Sequence, residues 1–167
     1  MDQRSPKTVR LPDFLYEWAE KMLEFYFPVQ ALTGDGKGRM SITEHRISLC
    51  RYAKRNPDTL VYFQFLENWM KELGYGEVEA EVFQVSTYEE GHYYKWHHDD
   101  ASLTRRKWSM SALISPPHKF KGGDLEFEGI GPVFLKQQDA VIFPSDIRHQ
   151  VTPVTKGVRH SLVVWFK

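Results

Sequence analysis

Glu77-Val-Glu-Ala-Glu-Val-Phe-Gln-Val-Ser-Thr87 is the stretch on which the fold of this 167-residue chain turns. Val78, Ala80 and Val82 recur with a period of two, and Phe83, Val85 and Thr87 continue that period on the other face. Alternate side chains of a strand share a face, so the pattern predicts a strand with a bulge where the apolar face switches. Before it the apolar period is helical; after it short apolar runs are cut by Gly and Pro.

Upstream, Phe14, Leu15, Trp18, Met22, Leu23, Phe25 and Tyr26 predict a helix over Pro12–Phe27, stopped by Pro28. The glycine-rich Gly34-Asp-Gly-Lys-Gly38 has no Lys-Ser/Thr opening a helix behind it and reads as a plain loop, not a phosphate cradle. Ser41-Ile-Thr-Glu44 has capping-box spacing and predicts a second helix to about Lys54, and Leu60–Leu73 predicts a third, closed by Gly74. Downstream, strands are expected at Tyr93–Asp99, Lys107–Ile114, Asp124–Glu128, Val133–Leu135, Ala140–Phe143, His149–Val154 and His160–Phe166. The fold class expected is mainly β with N-terminal helices (α+β): a double-stranded β-helix, the cupin-like jelly roll, with the helices along one sheet. A single domain over 1–167 is expected, with helical support over about 1–76 and the jelly-roll core over about 77–167.

Lys+Arg and Asp+Glu are both 22, so no global charge argues for nucleic acid, although Arg105-Arg106-Lys107 form a local basic run. Cys50 is the only cysteine, which excludes an intrachain disulfide; its apolar surroundings read as core. No signal-like N-terminal segment is present, and no run reaches the roughly 18 apolar residues of a membrane span, so a cytoplasmic protein without membrane partners is expected.

The chemistry lies in Trp96-His97-His98-Asp99-Asp100, followed by His149 in FPSDIRHQVTPV. Two imidazoles and one carboxylate leave coordination positions open, the donor set that suits non-haem Fe(II). On a strand, His97 pairs with Asp99 and His98 with Asp100 on opposite faces, and spacing alone does not choose between the pairs. Arg159 and Ser161 share a face of the last strand, as anchors for a carboxylate would. Zinc hydrolysis uses a similar donor set but has no need of a dicarboxylate anchor.

Tyr88-Glu-Glu-Gly91-His-Tyr-Tyr94-Lys-Trp-His97-His-Asp99 resembles the strand Tyr-x-x-Gly-x-x-Tyr-x-x-His-x-Asp of prolyl 4-hydroxylase-type Fe(II)/2-oxoglutarate dioxygenases, including their small bacterial and viral members. Gly122-Gly123-Asp124-Leu125 and Phe143–Trp165 are similar to later parts of the same family, so the resemblance covers roughly residues 77–167. It assigns the metal ligands to His97, Asp99 and His149. It further implies that Arg159 and Ser161 hold the distal carboxylate of 2-oxoglutarate, with Tyr88 as a further hydrogen-bond donor. The implied cofactors are Fe(II), 2-oxoglutarate as co-substrate and dioxygen, with ascorbate a candidate reductant. The implied reaction hydroxylates an unactivated C–H bond and releases succinate and CO2.

A prolyl residue of a peptide or protein is the first substrate expectation, with Tyr93, Tyr94, Trp96 and Trp108 as candidate groove residues. A free amino acid or small metabolite is the alternative. Alkylation-repair demethylases carry a second arginine six residues after the first; here that position is Trp165, which argues against a nucleic-acid partner. A non-catalytic cupin-like binding module would lack a ligand or the arginine, and this chain has both.

Overall fold

The alternating stretch becomes Ala80–Tyr88, a central strand of the computed structural model, which describes residues 4–34, 39–100 and 104–167. In chain order the strands are β1 (Lys7–Arg10), β2 (Val29–Gln30), β3 (Thr33–Gly34), β4 (Met40–Ser41), β5 (Arg46–Ile47), β6 (Leu49–Ala53), β7 (Ala80–Tyr88) and β8 (Tyr93–His97). They continue as β9 (Trp108–Leu113), β10 (Phe120–Gly122), β11 (Leu125–Phe127), β12 (Gly131–Val133), β13 (Asp139–Pro144), β14 (His149–Val151), β15 (Val154–Gly157) and β16 (Arg159–Phe166). The helices are α1 (Asp13–Phe25) and α2 (Leu60–Glu72).

A seven-stranded sheet runs β1-β13-β9-β16-β7-β6-β2 and a five-stranded sheet runs β12-β11-β14-β8-β5, with antiparallel neighbours throughout. This is the expected mostly-β, jelly-roll architecture. The outer face of the larger sheet carries Phe83, Val85, Leu162 and Val164 against Leu15, Trp18 and Met22 of α1 and Phe63, Leu66 and Met70 of α2. Phe83 meets Phe63 edge-on at 4.6 Å and Trp18 at 6.2 Å, a geometry the ring quadrupole favours. Between the sheets lies a second apolar cluster with Leu125, Phe127, Val141, Phe143 and Val151.

The bulge appears where the apolar face switches. Val164 pairs with Phe83 and Phe166 with Ala80, so Glu81 and Val82 stand opposite Trp165 alone. The two helices also form as expected. Gly74 (φ +92) ends α2 in the left-handed conformation, its N–H bonded to Lys71 O at 3.0 Å and that of Tyr75 to Met70 O at 3.1 Å.

The helix expected from Ser41 to Lys54 is not formed: the segment contributes β4, β5 and β6. Cys50 faces the sheet interior beside Ser86, while Ala53 packs into the helix-side core, so each face of β6 carries one buried residue. Arg46, Cys50 and Ala53 fall at helical spacing only because burial on two faces erases the period of two. Pairing from Leu49↔Thr87 to Ala53↔Phe83 overrides local propensity. The expected strand His149–Val154 is cut after Val151 into β14 and β15, because Pro153 has no N–H for a ladder. The short strand near Val133 is Gly131–Val133, not Val133–Leu135. The strand expected to reach Asp99 ends at His97. Residues 35–38 of the glycine-rich loop lie outside the described residues. Among the described residues no helix is long and apolar enough to cross a membrane.

Candidate metal centre

His97 ends β8 and His149 opens β14, and the two are cross-strand partners in the five-stranded sheet. Backbone pairing therefore sets the distance between the imidazoles, whose centroids are 4.2 Å apart. Asp99 lies beyond the strand, so alternation does not place it. Its N–H donates to Ser145 O at 2.9 Å, and its Oδ2 accepts from Ser109 Oγ at 2.7 Å. Ser145 Oγ in turn lies 2.9 Å from Ser109 Oγ. The result brings Asp99 Oδ1 to 3.5 Å from His97 Nε2 and Oδ2 to 3.6 Å from His149 Nε2.

One donor atom from each of the three side chains fits within 4.8 Å of the others. Each imidazole is also set in one tautomer. His97 Nδ1 lies 2.7 Å from Lys95 O and His149 Nδ1 2.9 Å from Ile147 O, so both Nδ1 atoms donate and both Nε2 lone pairs face Asp99. That arrangement, outer nitrogens tied to carbonyls and inner nitrogens converging on a carboxylate, is how metal-bound histidines are oriented. The donor set and its outer partners fit a divalent ion of the iron type.

Burial would raise the Asp99 carboxyl, but His149, His97 and the Ser109 hydroxyl outweigh it and hold the group well below the usual carboxylate range. Burial also depresses the His97 imidazole, against the opposing pull of Asp99, which favours the neutral ring a metal needs. His98 turns away: its Nδ1 lies 2.6 Å from Asp100 O.

The second predicted group lies on the inner wall of the larger sheet. Arg159 pairs with Tyr88 and Ser161 with Ser86 across β16 and β7. Arg159 is 3% exposed, donates from Nη1 to Ser161 Oγ at 3.3 Å, and has its Cζ 5.7 Å from the Tyr88 ring centroid. Among the described residues no carboxylate forms an ion pair with it. Burial lowers its pKa, opposed in part by Tyr88 and Asp124. Gly123 supports its stem: a Cβ there would lie 2.9 Å from both Arg159 Cδ and Val154 Cγ2.

Two participants carry no sequence signal. Ser109 and Ser145 reach Asp99 through strand register, which a linear motif does not report. Tyr94 stacks on His97 with centroids 3.4 Å apart and planes at 8°. Of the four candidate groove aromatics, Tyr94 meets a site residue in that stack, Trp108 packs on Tyr75, and Tyr93 Oη donates to Glu44 O. Arg106 is not part of a free basic patch. It makes a bidentate pair with Glu81 at 2.7 and 2.8 Å, and its Cζ lies 4.1 Å over the Trp165 ring. Among the described residues the buried Trp165 Nε1 meets no acceptor.

The sequence profile of the 2OG-Fe(II) oxygenase superfamily matches residues 83–167, just over half of the chain and all three clustered donors. The chain belongs to that superfamily. A PKHD-type hydroxylase of Idiomarina loihiensis is 36% identical to this chain over 86 residues, 48% of this chain and 39% of that protein. One from Parvibaculum lavamentivorans is 35% identical over 88 residues, 50% of this chain and 40% of that protein. The match thus spans about two-fifths of the length of these relatives. Among solved structures, a Pseudomonas putida prolyl-4-hydroxylase superposes with a TM-score of 0.69 at 19% identity, over 98% of this chain and 92% of that one. The viral collagen prolyl hydroxylase of Paramecium bursaria Chlorella virus-1 gives 0.69 at 16% identity, over 99% and 97%. A Trichoplax adhaerens prolyl hydroxylase, solved with a hypoxia inducible factor peptide fragment, gives 0.71 at 13%, over 99% and 84%. At these identities the likeness shows the fold.

Proposed function

We propose that the chain is an Fe(II)- and 2-oxoglutarate-dependent hydroxylase acting on a prolyl residue of a peptide or protein. The observation that carries the metal assignment is the convergence of two tautomer-fixed Nε2 atoms on the Asp99 carboxylate. His97 Nε2, His149 Nε2 and an Asp99 oxygen would hold the iron. With 2-oxoglutarate and dioxygen, the bound iron supplies oxidative decarboxylation: one oxygen atom ends in succinate beside CO2, the other in the new hydroxyl.

The remaining work falls to this chain's own groups. Arg159 and Ser161 would bind the distal carboxylate of 2-oxoglutarate, a buried guanidinium giving direction as well as charge. Tyr88, 3% exposed and beside Arg159, would add a phenolic donor; burial raises its pKa, so it stays protonated. Ser109 keeps Asp99 turned to the imidazoles. The two helices share one apolar core with β6, β7, β9 and β16, which supports treating the described residues as one folding unit.

The prolyl assignment is supported by the names of the relatives and structural neighbours. Incubation with iron, 2-oxoglutarate and a library of proline-containing peptides, beside free proline, tests it by mass spectrometry. The expected result is a gain of one oxygen on a peptide. Hydroxylation of free proline or another small metabolite alone would overturn it in favour of a small-molecule substrate.

Gly123 offers a test of the arginine's placement. Gly123→Ala combines a left-handed backbone (φ +64) with two contacts at 2.9 Å, one of them the Arg159 stem. We expect 2-oxoglutarate affinity to fall about tenfold, the equivalent of about 1.4 kcal/mol. Metal affinity should stay unchanged, with both read by titration calorimetry.

A further inference from the structure

Arg46 belongs to the segment the sequence misassigns as helix, and it lies outside the stretch that matches the superfamily. It pairs with Tyr94 across β5 and β8, and it is 5% exposed. Among the described residues it forms no ion pair with a carboxylate. Its Nε donates to Ser48 Oγ at 2.9 Å, and its Nη2 to Cys50 Sγ at 3.1 Å and Ser86 Oγ at 3.4 Å. These neutral acceptors fix the guanidinium without neutralising it. Its Cζ lies 4.6 Å from the Tyr94 centroid.

The other neighbour of that ring is His97, parallel within 8° and 3.4 Å away. An imidazole so close covers the face it touches, so the guanidinium occupies the opposite face. Arg46, Tyr94 and His97 form a column: cation, aromatic ring, imidazole. A buried cation over an aromatic face is attracted by the ring quadrupole, and that attraction fixes the plane of the Tyr94 ring, whose other face meets His97. The hydrogen bond from His97 Nδ1 to Lys95 O fixes one edge of the imidazole, and the stack fixes its plane.

We propose that Arg46 is a positioning residue of the metal centre, holding Tyr94 face-on to His97 so that His97 Nε2 stays aimed at the ion. This rests on the metal assignment above. It makes the N-terminal half of the chain part of the site. The competing role is structural: Arg46, on the smaller sheet, ties to Cys50 and Ser86 on the larger one.

Co(II) titration of the full chain, read by its visible absorption, separates the two roles. Arg46→Met should weaken Co(II) binding about 10- to 100-fold, the range for loss of an outer partner of a metal ligand. Arg46→Lys, which keeps a cation over the ring, should recover most of the affinity. In a Tyr94→Leu background Arg46→Met should change nothing further, because its effect passes through the ring. Wild-type Co(II) affinity and spectrum in Arg46→Met, with a lowered thermal midpoint of the metal-free protein, would mean that Arg46 only ties the sheets and overturns the proposal. Additive losses in the double variant would also overturn it. Tyr94→Leu spares the hydrogen bonds of Arg46, so it keeps the test alive should Arg46→Met not fold; unchanged Co(II) binding there overturns the column. Failure of the metal assignment shows separately, as Co(II) binding that His97→Ala leaves intact.

Discussion

His149→Ala is expected to abolish iron binding and to reduce succinate formation to background. Removing one of three protein ligands should cost more than the roughly 10- to 100-fold loss that follows removal of an outer hydrogen-bond partner. His149 is 5% exposed and packs edge-on against Phe143 at 4.8 Å, so its removal leaves an aromatic ring, not a donor, beside the gap. Anaerobic titration with Fe(II) and 2-oxoglutarate reads the loss directly, through the visible charge-transfer band of the chelate. Thermal unfolding gives a second reading. Iron at about 100 times its dissociation constant should stabilise the unaltered protein by about 2.7 kcal/mol and leave the variant where it was. Full succinate output from His149→Ala would show that the cluster is not the metal centre.

Arg159→Met should leave the metal in place and remove the co-substrate. Truncating one partner of a buried charged pair costs about 2–5 kcal/mol, or on the order of 30- to 4,000-fold in the dissociation constant. Methionine keeps much of the stem that rests on Gly123, which limits the change to the guanidinium. Without ligand the variant should be no less stable than the unaltered protein. A buried cation with no ion pair among the described residues is a folding cost that a thioether removes. Calorimetric titration of 2-oxoglutarate into Co(II)-loaded protein checks the first claim and urea denaturation the second. Unchanged 2-oxoglutarate affinity would move the carboxylate site elsewhere.

The architecture was legible where apolar and polar side chains alternate along a strand. Ala80–Tyr88 and its bulge follow from a period of two that changes face once. β6 was not legible, because its two buried residues, Cys50 and Ala53, lie on opposite faces three positions apart and imitate a helix. The order and spacing of His97, Asp99 and His149 expose the cluster, since His97 and His149 fall on adjoining strands and Asp99 follows His97 by two residues. The residues that aim those donors were hidden. Ser109 stands ten residues from Asp99 and Arg46 forty-eight from Tyr94, and only pairing across strands brings them together. Arg106 misleads for the same reason: a basic run in the sequence turns one of its members inward onto Glu81.

The pairing of His97 with His149 across neighbouring strands also sets where this chain can grow. A residue inserted within Tyr93–His97 or His149–Val151 would rotate one imidazole to the far side of the sheet. A residue inserted in the turn at Glu128–Ile130 would leave both side chains where they are, since that turn lies outside the paired strands and Ile130 is exposed. Lengthening is therefore tolerated at the rim of the barrel and forbidden along two short ladders, so new specificity can be added around an unchanged centre.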